Sequence, residues 1–259
     1  VNDRNSVIVV DGQPVTLWRT FARDAAAEAP TFVMVHGIGV SHRYFRPLRD
    51  AIRGAGDTLT FDLPGFGASP KPGRPWSVED YAAFIGRILD ELGLAEVVLI
   101  GHSMGAQFAT ELAVARPALV SHVVLIGPVT DPKRATAVQQ GLALARDSLK
   151  EPASGNVLIF ADYIRSGIRW YLTTLAPMLD YRTDLALRRV VAPVLVIRGG
   201  SDPVASAGWC AVLASQASVG SLVEIGDRRH LVQYSAPGET AKAISEFVAR
   251  RVPTANPRA

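Results

Sequence analysis

Gly101-His102-Ser103-Met104-Gly105 separates two stretches of opposite habit. Before it, Glu96-Val97-Val98-Leu99-Ile100 is a continuous apolar run that reads as a buried strand, and after it Ala106 to Arg116 reads as a helix stopped by Pro117. A serine on a strand-to-helix turn needs small neighbours, because a Cβ at either glycine would crowd the tight backbone. Such a turn lifts the hydroxyl out of the sheet and aims the helix N-terminus at it. The pentapeptide therefore predicts a nucleophile at Ser103.

The flanking sequence repeats the strand–helix rhythm. Ser6 to Val10 and Val15 to Phe21 predict a hairpin turning at Asp11-Gly12. Ala25 to Pro30 reads as a connector, Thr31 to Val35 and Thr58 to Phe61 as buried strands, and Phe45 to Gly54 as a helix. Leu63 to Pro75, rich in Gly and Pro, is a loop. Ser77 with Asp80 makes a capping box for a helix that carries Tyr81, Ile85, Ile88 and Leu92 on one face and ends at Gly93. His122 to Ile126 is a further strand. From Pro128 to about Arg188 the pattern is helical, and strand rhythm returns at Pro193 to Ile197 and Ser221 to Ile225 before a closing helix from about Ala236 to Arg250. This alternation predicts an α/β fold: a mostly parallel sheet of about eight strands, helices on both faces, and an inserted helical lid. The expected organisation is a core of residues 1–127 and 189–259 with a lid of residues 128–188.

Composition narrows the function. A chain of 259 residues with net charge +3 and scattered arginines has no clustered basic stripe, so no nucleic-acid partner is expected. No apolar run reaches the length of a membrane span, and Val1-Asn2-Asp3-Arg4-Asn5 is followed by no apolar leader core. The single cysteine, Cys210, rules out an intrachain disulfide and fits a reducing, cytoplasmic setting. It reads as a small core residue of an apolar helix rather than as a reactive thiol. There is no metal-ligand spacing, no phosphate loop and no dinucleotide fingerprint. No cofactor or metal is expected, and the partner is a small-molecule substrate.

A nucleophilic serine needs a base, and the base needs an anion to fix its tautomer. Of the five histidines, His36 and His102 lie in glycine turns, His42 opens a helix and His122 opens a strand. His230 alone falls between the last strand and the last helix, at the strands' carboxyl edge where open sheets bind ligands. Asp202, in Arg198-Gly199-Gly200-Ser201-Asp202-Pro203, is the expected anion, with Asp131 as its competitor. The oxyanion donors expected are the backbone amides of Met104 and of Ile38, the latter in His36-Gly37-Ile38-Gly39. In the lid, Trp170 and Tyr163 are candidates for lining an apolar substrate pocket, against the plainer reading of helix packing.

With these parts in place the chain resembles the α/β-hydrolase fold family over nearly its whole length. The marks are His36-Gly37, Asp62-Leu63-Pro64-Gly65-Phe66-Gly67-Ala68-Ser69, Gly101-His102-Ser103-Met104-Gly105, Gly199-Gly200-Ser201-Asp202 and His230. The resemblance implies a nucleophile–acid–histidine order met by Ser103, Asp202 and His230, a structural role for Asp62, and a helical cap at 128–188 that sets substrate choice. Ser103 stands where haloalkane dehalogenases and epoxide hydrolases carry aspartate. His102 and Leu231 replace the Asn and Trp usual in carbon–carbon bond hydrolases. The expectation is a serine esterase acting through an acyl-enzyme. Lactonase, thioesterase, perhydrolase and C–C hydrolase activities remain open alternatives, as does a non-catalytic ligand-binding role.

Overall fold

The computed structural model describes residues 3–22, 29–132 and 153–250. Residues 25–28 of the expected connector and 133–152 of the expected lid lie outside these. One sheet contains β1 (Asp3–Val10), β2 (Gln13–Thr20), β3 (Thr31–Val35), β4 (Asp57–Phe61), β5 (Val97–His102), β6 (Val120–Ile126), β7 (Val194–Gly199) and β8 (Gly220–Ile225). Their spatial order is β1-β2-β4-β3-β5-β6-β7-β8. The β1–β2 and β2–β4 pairs are antiparallel, and every pair from β4 to β8 is parallel. Asp11 and Gly12, with φ of 49° and 76°, turn the hairpin as the sequence predicts.

The helices are α1 (Arg46–Ile52), α2 (Val78–Glu91), α3 (Met104–Ala115), α4 (Ala153–Ser166), α5 (Ile168–Asp180), α6 (Thr183–Leu187), α7 (Ala207–Gln216), α8 (Val232–Ser235) and α9 (Pro237–Ala249). Alternate residues of each strand face opposite ways, and in β3, β5 and β7 both faces are dry, whereas the edge strand β8 is largely exposed. Val33, Val35, Leu99, Leu125 and Val196 pack with Tyr81, Ile85 and Ile88 of α2, Phe108 of α3, and Leu213 of α7. Phe32, Met34, Ile100, Ile126 and Ile197 pack with Leu48 and Ile52 of α1 and Ile244 and Phe247 of α9. That two-sided burial is why these strands read as unbroken apolar runs. Cys210 is buried in α7, and burial pushes its thiol up to about 12, as suits a core residue. The α2 capping box is present: Asp80 N–H donates to Ser77 Oγ (3.2 Å) and Ser77 N–H to Asp80 Oδ2 (3.0 Å).

At the strand that leads to Ser103, both ends differ from the sequence expectation. Glu96 is outside β5 with φ of 52°, and Gly101 and His102 continue the strand by pairing with Leu125 and Ile126. The helix starts at once, at Met104. The whole reversal is thus made at Ser103, with φ 56° and ψ −120°, a left-handed conformation costing a non-glycine residue roughly 1–3 kcal/mol. It persists because the flanking backbones touch. A Cβ on Gly101 would strike the carbonyl of Gly105, and one on Gly105 would strike the carbonyls of Val35 and His36.

None of those atoms belongs to a side chain that can rotate away. Gly105→Ala should therefore lower unfolding stability in urea by about 2–3 kcal/mol, and an unchanged midpoint would contradict the packing described.

Candidate active site

The carboxyl ends of β3, β5, β7 and β8 converge on one locality. Gly199 and Gly200 let the loop after β7 lie on the loop after β8: a Cβ on Gly199 would meet the carbonyls of Arg228 and Arg229, and one on Gly200 that of Gly226. Ser201 N–H donates to the Arg228 carbonyl at 2.9 Å. This apposition puts the Asp202 carboxylate against His230, whose Nδ1–H donates to Asp202 Oδ2 at 2.9 Å, both side chains being buried. The other carboxylate oxygen, Oδ1, accepts the amides of Val204 (2.7 Å) and Ala205 (3.0 Å). Beneath, the buried Arg198 guanidinium holds the carbonyls of Ala205 (3.0 Å) and Gly200 (3.1 Å) and pairs with Glu224. The carboxylate is thus fixed from three sides, and Nδ1–H fixes His230 with its lone pair on Nε2. Asp131, the competing acid, instead accepts from Ser206 Oγ at 3.4 Å.

The serine turn abuts this pair. The His102 ring is 4.8 Å from the His230 ring, and its Nε2–H donates to the His230 carbonyl at 3.0 Å. Ser103 N–H bonds to the Ile126 carbonyl (2.9 Å), and Gly127, the next residue along, lies against His230 and Asp202 such that a Cβ there would sit 3.0 Å from the imidazole. On the opposite side, the loop after β3 lies on Ser103: a Cβ at Gly37 would be 3.1 Å from Ser103 Cβ and 3.5 Å from Oγ. Ile38 follows, buried. Met104 opens α3, so its amide is among the helix N-terminal donors with no partner inside the helix.

The remaining histidines are occupied by the scaffold. His36 Nδ1–H donates to the Gly37 carbonyl (2.8 Å) and its Nε2 accepts Leu63 N–H (2.9 Å), tying the loops after β3 and β4 together. His42 stacks on Trp18 with centroids 3.3 Å apart, and Nδ1–H donates to Asp62 at 2.8 Å. Asp62 also accepts the amides of His42 and Ala68, closing the loop that follows β4. Burial pushes this carboxyl up, but the His42 bond and charge, helped by His36, outweigh it and hold Asp62 below its ordinary value.

Two of the α4–α5 aromatics contact the same edge. Tyr163 lies over Gly39, where a Cβ would collide with its ring, and Tyr171 meets the same point. The two tyrosine rings touch edge to face, with centroids 5.5 Å apart. Trp170 lies over Gly65 in the loop after β4 rather than on the serine turn. Among the described residues no three metal-ligating side chains converge, and no helix is long and apolar enough to cross a membrane.

A model of the alpha/beta hydrolase family matches residues 32–243. The chain belongs to the alpha/beta hydrolase family. It is 30% identical over 244 residues to 2-(acetamidomethylene)succinate hydrolase from Mesorhizobium japonicum, covering 85% of this chain and 88% of that protein. It is 25% identical, over 85% of this chain and 91% of the relative, to (E)-2-((N-methylformamido)methylene)succinate hydrolase from Acinetobacter baylyi. The enol-lactonase of Burkholderia xenovorans shares the fold, with a TM-score of 0.81 at 20% identity, covering 95% of this chain and all of that one.

The structure of this alpha/beta hydrolase also displays contacts that sequence reasoning missed. Tyr44 and His102 join the loop after β3 to His230 across sequence separations of 58 and 128 residues. Asp162 of α4, buried, accepts Ser41 Oγ–H at 2.6 Å and pairs with Arg43. No local pattern announces such long-range pairs.

Burial lowers the pKa of both His36 and His102, the latter well below 6.5, with the His230 charge acting the same way on His102. Unfolded imidazoles take up protons below about 6.5 while these two stay neutral in the fold, so stability must fall as pH drops through that region. We expect the melting temperature to decline from about pH 7.5 to about pH 5, and less steeply in His102→Gln. Equal slopes for the two proteins would refute this.

Proposed function

We propose that this hydrolase cleaves carboxylic esters of small, apolar substrates through a serine acyl-enzyme. The observation that supports it most is the buried Asp202–His230 pair, delivered beside a left-handed serine at a strand-to-helix turn. In this reading His230 Nε2 takes the Ser103 proton as Oγ attacks the carbonyl carbon. Asp202 stabilises the imidazolium that forms. The tetrahedral oxyanion rests on the amides of Ile38 and Met104, each such donor being worth roughly a hundredfold in rate. His230 returns its proton to the departing alcohol, and water then releases the acid by the reverse proton path.

Residues 128–188 serve as the cap. Tyr163 and Tyr171, above Gly39, form an aromatic ceiling over the oxyanion side, and Trp170 bounds the pocket farther out at Gly65. Rings of this kind favour an apolar group next to the scissile bond.

The similarity to the two succinate hydrolases supports a second reading, in which the bond is an acylated nitrogen and the substrate is acidic. A dicarboxylate held in a closed pocket needs cationic partners. Arg43 is already paired with the buried Asp162, whereas Lys71 Nζ lies 5.9 Å from the Trp170 ring centroid and would be the nearer cation for this second reading.

Ser103→Ala should reduce hydrolysis of a short p-nitrophenyl ester by more than about a thousandfold while the protein stays folded. Wild-type protein should be labelled at Ser103 by a fluorophosphonate; turnover by the Ala variant would dismiss the nucleophile. Asp202→Asn should lower kcat by roughly 10³–10⁴-fold, because the amide favours the wrong imidazole tautomer. Faster turnover of acidic N-acyl substrates than of matched esters would establish the second reading.

A further inference from the structure

His102 sits inside the signature turn, yet its ring takes no part in the chemistry just described and is buried. Both ring nitrogens are committed. A carbonyl oxygen only accepts, so the 3.0 Å contact with the His230 carbonyl requires the proton on Nε2. Nδ1 then holds the lone pair and accepts the Tyr44 O–H at 2.9 Å. The Tyr44 oxygen in turn accepts the Gly37 amide at 2.8 Å. Only one direction of donation satisfies every atom: Gly37 N–H to Tyr44, Tyr44 O–H to His102, His102 N–H to the His230 carbonyl. Burial keeps the imidazole neutral and the phenol protonated, so the chain of bonds has a single protonation state.

We propose that Tyr44 and His102 are positioning residues that hold the oxyanion loop and the general base in register with the nucleophile. The proposal rests on the serine-hydrolase reading above. Apart from Tyr44 itself, each point of the relay is at or next to a residue of the proposed machinery. Gly37 precedes Ile38, His102 precedes Ser103, and the accepting carbonyl belongs to His230 itself. Removing the Tyr44 hydroxyl would leave the Gly37 amide and His102 Nδ1 buried without partners, a loss that a buried network does not absorb in place. The peptide at 37–38 and the residue at 230 would then move relative to Ser103. Displacements near an ångström at reacting groups cost turnover rather than substrate binding.

The test uses Tyr44→Phe, His102→Gln and His102→Asn with the ester assayed for Ser103→Ala, and records thermal melting for each. Tyr44→Phe should lower kcat by roughly ten- to a hundredfold with KM within about twofold of wild type. The Gln amide reaches where Nε2 stood and restores the donor to the His230 carbonyl; the Asn oxygen keeps only the acceptor for Tyr44. His102→Gln should therefore retain more kcat than His102→Asn. Wild-type kcat in a merely destabilised Tyr44→Phe, a loss carried by KM, or Asn turning over as fast as Gln would overturn the relay. If Ser103→Ala stays active the nucleophile assignment fails. If it is inactive while the three variants keep full kcat, the relay alone fails.

Discussion

The constraint on which the candidate site depends is the contact of backbones around Ser103. Gly105 presses on the carbonyls of Val35 and His36, and Gly101 presses on the carbonyl of Gly105, so α3 begins with no room for an intervening turn. A chain that leaves β5 and enters α3 over one residue has to take the left-handed conformation there. Side chains rarely accept that backbone, and the surrounding sheet has to over-determine it. The Ile126 carbonyl on the Ser103 amide and the pairing of His102 with Ile126 supply part of that grip. The apolar cores on both faces supply the rest, since neither β3 nor β6 can yield without opening packed side chains.

Two imidazole–carboxylate pairs exist among the described residues near the sheet's carboxyl edge, and distance does not separate them: His42–Asp62 at 2.8 Å and His230–Asp202 at 2.9 Å. Their surroundings do. The His42 ring is stacked flat on Trp18, and Asp62 is spent on loop amides, so that pair closes a loop. His230 lies instead beside Gly127 and the His102 ring, at the end of the strands that deliver Ser103. Here the glycine is the informative neighbour. Any side chain at 127, already at φ 53°, would press on the imidazole.

Much of this architecture was legible in the sequence, because periodicity and punctuation are local. The Asp11-Gly12 turn, the Ser77–Asp80 box and the apolar runs at β3, β4 and β7 each carry their cause within a few residues. The candidate residues at 103, 202 and 230 could be proposed from position alone, since strands of a parallel sheet all end at the same edge. The strand runs two residues past the end that the sequence pattern predicts, because glycine at 101 looks like the start of a turn while it is serving as a close-packed strand position. The Tyr44–His102 connection was illegible for a different reason. It depends on which rings meet across distant segments, and tyrosine and histidine at those positions look like ordinary packing residues.

The described helices between β6 and β7 join the core through two kinds of contact. Their contacts to the loop after β3 include polar ones: Asp162 with Ser41 and Arg43, and Ser166 with the Gly39 carbonyl at 3.4 Å. On the other side Gln107 of α3 reaches the Met178 carbonyl at 2.8 Å and Thr130 at 3.0 Å. A buried carboxylate left without its partners is costly, so these bonds fix one seating of the helices more strictly than apolar contact would. The aromatic rings then meet the core at Gly39 and Gly65, where there is no side chain to oppose them. A different ring at 163, 170 or 171 would change contacts made directly on backbone, and a change at 162 would break the ion pair of a buried carboxylate. Buried hydrogen bonds and ring contacts on backbone thus act together to set how α4 and α5 sit on the core.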